Sequence, residues 1–300
     1  MPSTDEQLAE IRSIIAAHAG KRLPIDGLLV SRVATAPPDY ALTEPLLVVM
    51  AQGGKRLLLG DEVHEYRAGQ YLLVTTALPV TGHYLDISAE RPSLAMGLVL
   101  RPTVIAPLLL EARWSRGPAE SPAMATGDAD ADLLDAVVRL LGLLDRPADI
   151  RVLAPLVERE ILWRLLTGPH GDVIRQIGLA DSGLSHVGHA IRWIRDNYAE
   201  PMRIADLAGL AGMSPSAFHR HFRAITAMSP LQFQKRIRLQ EARALLTARP
   251  SDVAGIGHLV GYDSPSQFNR EYRRLFGVPP GQDSAWLRTE AGPREVRHLP

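Results

Sequence analysis

Short apolar runs separated by glycines dominate the chain between residues 28 and 100. Runs of this length, bounded by turn-forming residues, are typical of β-strands. The six predicted strands are LLVSRV, LLVVMAQ, KRLLLG, EVHEY, YLLVTT and SLAMGLVL. Gly53, Gly54, Gly60, Gly69 and Gly82 accept the positive φ of tight hairpins, so we expect turns at these positions. The pattern predicts a small β-barrel or sandwich.

The apolar spacing changes to a helical period after Arg101 and Pro102. Two helices are predicted between residues 130 and 167, the second beginning after Pro147 and ending at Gly168. Their apolar positions are Leu133, Val137, Leu140, Leu141 and Leu144 in the first and Val152, Leu156, Ile161, Leu165 and Leu166 in the second. Such helices can cover an open face of the β domain or form a dimer seam with a second chain. The sequence leaves both alternatives open.

The last third of the chain is helical in pattern throughout. Ser185 is the predicted N-cap of a helix whose apolar stripe ends before Pro201. That stripe consists of Val187, Ile191, Ile194 and Tyr198.

The segment MSPSAFHRHFRAITAMSP, beginning at Met213, returns fifty residues later as DSPSQFNREYRRLFGVPP. In the first copy Ser214 can cap a helix that begins at Pro215. Phe218 and Phe222 then lie on one inward stripe. The preceding IADLAGLAG predicts a short helix followed by a glycine turn. This is the helix-turn-helix pattern, whose second helix enters a major groove of DNA.

Because the second copy repeats the serine, proline, aromatic and arginine positions, we predict two helix-turn-helix units. FQKRIRLQEARALL between them is rich in strong helix formers and would act as a rigid spacer. Arg220 and Arg270 are the leading base-reading candidates, since a guanidinium can bond to both O6 and N7 of guanine. Either arginine could instead bind a phosphate. His219 and Asn269 occupy equivalent positions and could also be solvated.

Charge and composition narrow the function classes. Residues 1–187 hold 17 Lys and Arg against 23 Asp and Glu, whereas residues 188–290 hold 14 against 9. A basic C-terminal part suggests that this part meets a polyanion. The chain has no cysteine, which excludes disulfides and thiolate metal sites. It also has no run of about 20 uncharged apolar residues, so we expect a cytoplasmic protein without a membrane span.

The C-terminal part resembles the DNA-binding domain of the AraC/XylS family of bacterial transcription regulators. The similarity covers residues 186–287 and is carried by LAGLAGMSPSAFHRHFRAITAMSPLQFQKRIRLQEARALL and VGYDSPSQFNREYRRLFGVPP. It implies base contacts from Ser216, His219, Arg220, Ser266, Gln267, Asn269 and Arg270, and core positions for Phe218, Phe222, Phe268 and Tyr272. Candidate phosphate contacts are Arg223, Lys235, Arg236, Arg273 and Arg274.

One residue departs from the family pattern. Gly257 stands before the second turn, where the family usually has alanine. Because glycine costs a helix interior about 1 kcal/mol relative to alanine, we expect the second unit to be less stable and to read DNA more loosely.

The upstream part is similar to the cupin-like domain of one AraC subgroup, through EPLLVVMAQGGKRLLLGDEVHEYRAGQYLLVTTALPVTG and ERPSLAMGLVLRP. Such a domain holds an effector or mediates dimerisation. Metal-dependent cupin enzymes cluster histidines, whereas His64 and His83 are isolated here, and His219 and His221 cannot chelate together from one helix. We therefore expect no metal, no cofactor and no enzymatic activity. Tyr40, Tyr71, Tyr84 and Met96 could line a pocket or fill the core, and the ligand-binding residues stay unassigned.

These observations predict an α+β protein: a cupin-like β-barrel with covering or dimerisation helices at residues 20–170, then an all-α domain with two helix-turn-helix units at 184–288. We expect a sequence-specific, effector-responsive transcription regulator that binds double-stranded DNA. The family resemblance implies an activator acting on RNA polymerase and a homodimer. The alternative is an architectural protein that binds DNA through phosphates alone, with a steep salt dependence.

Overall fold

The computed structural model describes residues 2–35, 38–114, 121–179, 183–248, 252–290 and 299. The chain divides into two compact units. The first holds residues 1–185 with 224–227 and 296–300, and the second holds residues 186–223 and 228–295.

Two antiparallel sheets form the β part of the first unit. One has five strands in the order β1-β8-β3-β6-β9, and the other has four in the order β2-β7-β4-β5. The strands are β1 Leu28–Val33, β2 Asp39–Leu42, β3 Leu46–Gln52, β4 Gly54–Leu59, β5 Glu62–Arg67, β6 Gln70–Val74, β7 Pro79–Leu85, β8 Ser93–Val99 and β9 Met124–Asp128.

The described residues of the same unit also form the helices α1 Thr4–His18, α2 Pro102–Glu111, α3 Ala131–Gly142, α4 Pro147–Thr167 and α5 Gly171–Gly178. Alternate residues of the five-stranded sheet, such as Leu47 and Leu98, join the core that the helices build. Ile11 of α1 and Leu134 of α3 are fully buried in that core. Since successive side chains of a strand point to opposite faces, the other face of this sheet is directed away from the helices.

The structure confirms the predicted fold class of a β domain followed by a helical domain. All six predicted strands form, and α3 and α4 match the predicted pair of helices. Strands β2, β7 and β9 and helices α1, α2 and α5 are elements that the sequence reading missed. Of the proposed pocket residues, Tyr71 and Met96 belong to the helix-facing core instead.

The predicted hairpin turn at Gly82 is wrong. Gly53, Gly60 and Gly69 have positive φ and join successive strands as expected. Gly54 is instead the first residue of β4, and Gly82 lies inside β7, and neither has positive φ. A Cβ on Gly82 would lie 2.7 Å from Cε of Lys55 on the neighbouring strand. The residue is therefore a glycine because the Lys55 side chain crosses over it.

The second unit is helical: α6 Gly183–Asp196, α7 Ile204–Leu210, α8 Pro215–Thr226, α9 Pro230–Ala248, α10 Val253–Leu259, α11 Pro265–Phe276 and α12 Pro280–Glu290. Two details of the predicted first helix are wrong. Ser185 lies inside α6 rather than at its N-cap, and α6 ends at Asp196, before Tyr198. Tyr198 nevertheless packs, half-buried, against the core around Phe268. No helix in the described part of the chain is long and apolar enough to span a membrane.

Candidate nucleic-acid interface

The first helix-turn-helix unit consists of α7, a turn and α8. Gly212 supplies the turn with a φ of +64°, and its N–H donates to the carbonyl of Gly209 at 3.0 Å. The Met213 N–H donates to the carbonyl of Ala208 at 2.9 Å. The Ser214 hydroxyl then accepts from the N–H of Ala217 at 3.3 Å and caps α8 as predicted. Local hydrogen bonds thus fix where the recognition helix begins.

The second unit repeats this plan with α10 and α11. Gly261 has a φ of +92°, and the Tyr262 N–H donates to the carbonyl of Gly257 at 3.0 Å. The Ser264 hydroxyl caps α11 by accepting from the N–H of Gln267 at 3.3 Å. One residue, Asp263, is additional in this turn, because a single Met213 separates glycine from serine in the first unit. The offset between the two units is therefore fifty only from the capping serines onwards.

Aromatic side chains hold each recognition helix against its unit. The predicted core positions Phe218, Phe222, Phe268 and Tyr272 are buried. The Phe222 ring also meets Phe233 of α9, with centroids 5.3 Å apart. Because these rings occupy the inward stripe, the remaining side chains of α8 and α11 are directed outward.

The seven residues predicted to contact bases are all exposed. They are Ser216, His219 and Arg220 on α8 and Ser266, Gln267, Asn269 and Arg270 on α11. On each helix they lie in the first half, immediately after the capping serine. This is the part of a recognition helix that approaches base edges.

The five predicted phosphate contacts divide into two groups. Arg223, Arg273 and Arg274 are exposed. Lys235 is exposed, but its ammonium lies 2.9 Å from the carboxylate of Glu271, and Arg236 is half-buried. Since an ion-paired lysine must exchange its partner before it can bind a phosphate, Lys235 is the weaker candidate.

Arg238 on α9 is a positioning residue that the sequence reading missed. Its guanidinium donates to the carbonyls of Tyr198 at 2.6 Å, Ala199 at 3.0 Å and Glu200 at 3.1 Å, and to the carbonyl of Gly261 at 2.7 Å. The first three carbonyls follow α6, whereas Gly261 lies in the second turn. Arg238 therefore links the segment before the first helix-turn-helix to the second one. Burial lowers the pKa of Arg238.

Gln234, one helical turn before Arg238, reinforces this link. Its side-chain amide donates to the carbonyls of Tyr198 at 3.0 Å and Glu200 at 2.8 Å. Gly261 is required at the other end, because a Cβ there would lie 2.3 Å from the Ala199 carbonyl oxygen. The spacer helix is thus fixed through backbone carbonyls to the segment after α6 and to the turn of the second helix-turn-helix unit.

Gly257 has a packing role in α10. A Cβ at this position would lie 3.1 Å from Cδ1 of Phe268. The missing methyl group lets α10 approach the aromatic core of α11 closely. The glycine that departs from the family pattern therefore lies where α10 packs closely against α11. The expected difference in stability between the two helix-turn-helix units stays a prediction.

The described residues contain no group of three or more His, Asp or Glu side chains that could hold a metal ion. His219 and His221 lie two positions apart on α8, so their rings are directed to different sides of the helix. What the interface offers chemically is hydrogen-bond donors and acceptors and positive charge.

Comparison with protein families matches residues 24–173 to the N-terminus of AraC-type transcriptional regulators. That match spans half of the chain. The chain belongs to the AraC-type transcriptional regulators. Residues 207–285 of this AraC-type regulator match a helix-turn-helix domain, which includes α8 and α11. The second compact unit thus carries the helix-turn-helix domain.

Curated relatives of this AraC-type regulator match it over part of its length. The HTH-type transcriptional regulator MtrA of Neisseria gonorrhoeae is 31% identical over 96 residues, which cover 32% of this chain and 32% of MtrA. The HTH-type transcriptional activator RhaS of Escherichia fergusonii is 27% identical over 154 residues, covering 50% of this chain and 54% of RhaS. The chain spans about a third to about half the length of these relatives.

Among solved structures, wild-type ToxT from Vibrio cholerae, bound to an unsaturated fatty acid, aligns over 90% of this chain and 99% of its own chain. The TM-score is 0.55 and the sequence identity 11%. At this identity the likeness shows a shared fold.

Proposed function

We propose that the protein is a sequence-specific DNA-binding transcription regulator whose two recognition helices read successive major-groove segments. The observation that carries this proposal is the pair of serine-capped helices, α8 and α11, joined by the spacer helix α9, whose Arg238 bonds to Gly261 in the turn before α11. Major-groove segments on one face of DNA recur about every 34 Å, and a rigid spacer suits two helices that read neighbouring segments.

In this proposal the exposed first halves of the recognition helices read bases. Arg220 and Arg270 bond to guanine, and the neighbouring Ser216, His219, Ser266, Gln267 and Asn269 contact adjacent base edges. Arg223, Arg273 and Arg274 bind phosphates, with smaller contributions from Lys235 and Arg236. The regulatory and DNA-binding parts are assigned to residues 20–170 and 184–288.

We further propose that the protein activates transcription through RNA polymerase in response to a small-molecule effector. The name of RhaS as an activator and the fatty acid bound to ToxT support this assignment. The protein would act in the cytoplasm, on nucleoid DNA, without a cofactor and without catalysing a reaction.

A homodimer through α4 completes the proposal. Val152 and Leu156 lie one helical turn apart on α4 and are 66% and 59% exposed. Large apolar side chains that share an exposed helix face are typical of a helix-helix interface. Leu156→Lys should convert a dimer to a monomer in sedimentation, whereas Leu110→Lys, at an 80% exposed leucine of α2, should not.

Selection of bound DNA from a random pool with the full chain tests the central claim. We expect a motif with two half-sites about one helical turn apart and a footprint that survives excess random DNA. Recovery of unrelated sequences, with affinity that falls steeply with salt for all of them, would instead support phosphate-only architectural binding.

A further inference from the structure

A buried lysine faces the space between the two sheets of the first unit. Lys55 on β4 is 1% exposed, and its ammonium lies 3.4 Å from a carboxylate oxygen of Asp39 and 3.4 Å from the Tyr84 hydroxyl. It also lies 4.4 Å from the centroid of the Tyr84 ring. Burial lowers the pKa of Lys55, and the charge of Asp39 opposes that effect. An ammonium this far from water requires hydrogen-bond acceptors.

The third acceptor of Lys55 comes from a distant part of the chain. The ammonium donates to the backbone carbonyl of Leu299, which belongs to the same compact unit. Leu299 is 4% exposed, and its isobutyl group lies over Gly97 of β8, where a Cβ would come within 2.5 Å of Leu299 Cδ2. Lys55 belongs to the four-stranded sheet and Gly97 to the five-stranded sheet. Leu299 therefore lies between the sheets.

The two glycines make this arrangement possible. A Cβ on Gly82 would collide with the Lys55 side chain, and a Cβ on Gly97 would collide with Leu299. Gly82 thus leaves room for the Lys55 side chain that donates the hydrogen bond, and Gly97 leaves room for the isobutyl group of Leu299. We define the lumen site as Asp39, Lys55, Gly82, Tyr84 and Gly97.

The charges of the lumen site define the chemistry of its occupant. Asp39 already balances the charge of Lys55, so a further anion would lie beside the Asp39 carboxylate and be repelled. The acceptor that Leu299 presents is a neutral carbonyl. A ligand that replaces Leu299 needs a neutral carbonyl oxygen and, a few carbons away, a short branched alkyl group.

We propose that the lumen site binds small neutral carbonyl compounds with a branched alkyl chain, and that Leu299 of the same chain competes with them as an internal occupant. This deepens the proposed effector response, since a ligand that displaces Leu299 distinguishes two states of the first unit. The binding itself is independent of DNA. Its failure can therefore be told apart from a failure of the DNA-binding proposal, which the selected DNA tests separately.

Isocaproamide and isocaproate are suitable probes, because each carries the carbonyl-to-isobutyl spacing of a leucine residue. We expect isothermal titration calorimetry on the full chain to show saturable binding of isocaproamide and weaker binding of isocaproate. Equal or tighter binding of isocaproate would overturn the proposed preference for neutral carbonyl compounds. Absence of binding of both probes to the wild type and to Leu299→Ala would overturn the proposal.

Two substitutions test the role of Lys55 in binding the probe and the role of Leu299 in competing with it. Lys55→Met should weaken isocaproamide binding about tenfold or more, as expected for loss of a charged donor, whereas Lys21→Met, at an exposed lysine, should not. Leu299→Ala should tighten binding about tenfold if Leu299 occupies the site nine-tenths of the time, and Leu110→Ala should leave it unchanged.

Unchanged affinity in Lys55→Met would place the probe elsewhere, and unchanged affinity in Leu299→Ala would show that Leu299 does not compete. If Lys55→Met fails to fold by circular dichroism, Gly97→Ala replaces it. The added methyl group lies where the isobutyl group packs, so this variant should lose isocaproamide binding while keeping its fold. If Gly97→Ala binds isocaproamide as tightly as the wild type does, the probe does not bind at the lumen site and the proposal is overturned.

Discussion

In the first helix-turn-helix unit the aromatic core around α8 consists of phenylalanines, Phe218, Phe222 and Phe233. In the second unit the position equivalent to Phe222 is Tyr272, whose hydroxyl donates to Asp283 at 2.7 Å. Asp283 in turn accepts from the guanidinium of Arg243, also at 2.7 Å. Aromatic packing thus holds the recognition helix in both units, and in the second unit the hydrogen bonds of Tyr272, Asp283 and Arg243 add to it.

The residues that follow the two recognition helices also differ, and here the second unit has the more favourable residue. After α11 the chain turns at Gly277 with a φ of +80°, the usual glycine cap of a helix. After α8 the equivalent residue is Ala227, with a φ of +57°, which an L-residue with a side chain adopts only at a cost. Ala227 is therefore an unfavourable residue of the first unit, whereas Gly257 of the second combines low helix propensity with close packing against Phe268. The composition of a helix-turn-helix does not by itself rank its stability.

Removing Arg238, which links the segment after α6 to the turn of the second helix-turn-helix unit, should have the largest effect. We expect Arg238→Met to lower the free energy of unfolding of the second compact unit by about 3 kcal/mol, because several partly buried carbonyls lose a charged donor. Arg238→Lys should lower the free energy of unfolding by somewhat less, because an ammonium keeps a charged donor. It should still lower it, because an ammonium cannot reach all four carbonyls. Urea unfolding monitored by Trp193 fluorescence, in a background where Trp114, Trp163 and Trp286 are replaced by phenylalanine, measures the change.

Arg274→Met is the matched control, because Arg274 is an exposed arginine of the same compact unit. A loss in Arg238→Met no larger than in this control would show that the carbonyl contacts of Arg238 do not stabilise the second compact unit.

The base-reading arginines test whether the two units read DNA unequally. Arg220→Ala and Arg270→Ala should each weaken binding to the selected DNA by about 1 to 3 kcal/mol and relax the preference at one base pair. If the second unit reads more loosely, Arg270→Ala has the smaller effect. Binding to single-base variants of the site at constant salt is the measurement.

Two results would contradict these expectations for the arginines. Equal losses from both substitutions would argue against unequal reading. A uniform loss across all sequences, with a shallower salt dependence, would identify the arginine concerned as a phosphate contact.

The recognition helices could be predicted from sequence because their signals are local. A serine cap followed by proline, and aromatic residues four positions apart, specify where α8 and α11 begin and which face is inward. Arg238 could not be found this way, because its acceptors lie 23 to 40 residues distant in the chain. The strand position of Gly82 is hidden from the sequence for a similar reason, since its neighbour Lys55 comes from another strand.

Exchanging the residues that end the recognition helices should produce opposite changes of about 1 kcal/mol. Ala227→Gly relieves the positive φ and should stabilise the protein, whereas Gly277→Ala imposes the same conformation on a side chain and should destabilise it. Thermal unfolding of both variants, with the double variant as a check on additivity, measures the difference. Changes of the same sign would mean that the two helix ends are not equivalent.

The smallest expected effect concerns Gly257, and it decides whether this glycine weakens the second unit. Alanine in a helix gains up to about 1 kcal/mol over glycine, but the added methyl group would lie 3.1 Å from a Phe268 ring carbon. That ring has little room, since its centroid is 5.3 Å from Tyr262 and 5.6 Å from Tyr272. Crowding of this kind costs about 1 to 3 kcal/mol in a packed core.

We therefore expect Gly257→Ala to leave stability unchanged or slightly lower. Gly209→Ala in α7 is the matched control, because a Cβ there meets no atom within 4 Å, and it should show the helix gain without the crowding. If both substitutions stabilise equally in urea unfolding, Gly257 is a weakness of the second unit. If only Gly209→Ala stabilises, close contact with Phe268 compensates for the helix propensity that the glycine lacks.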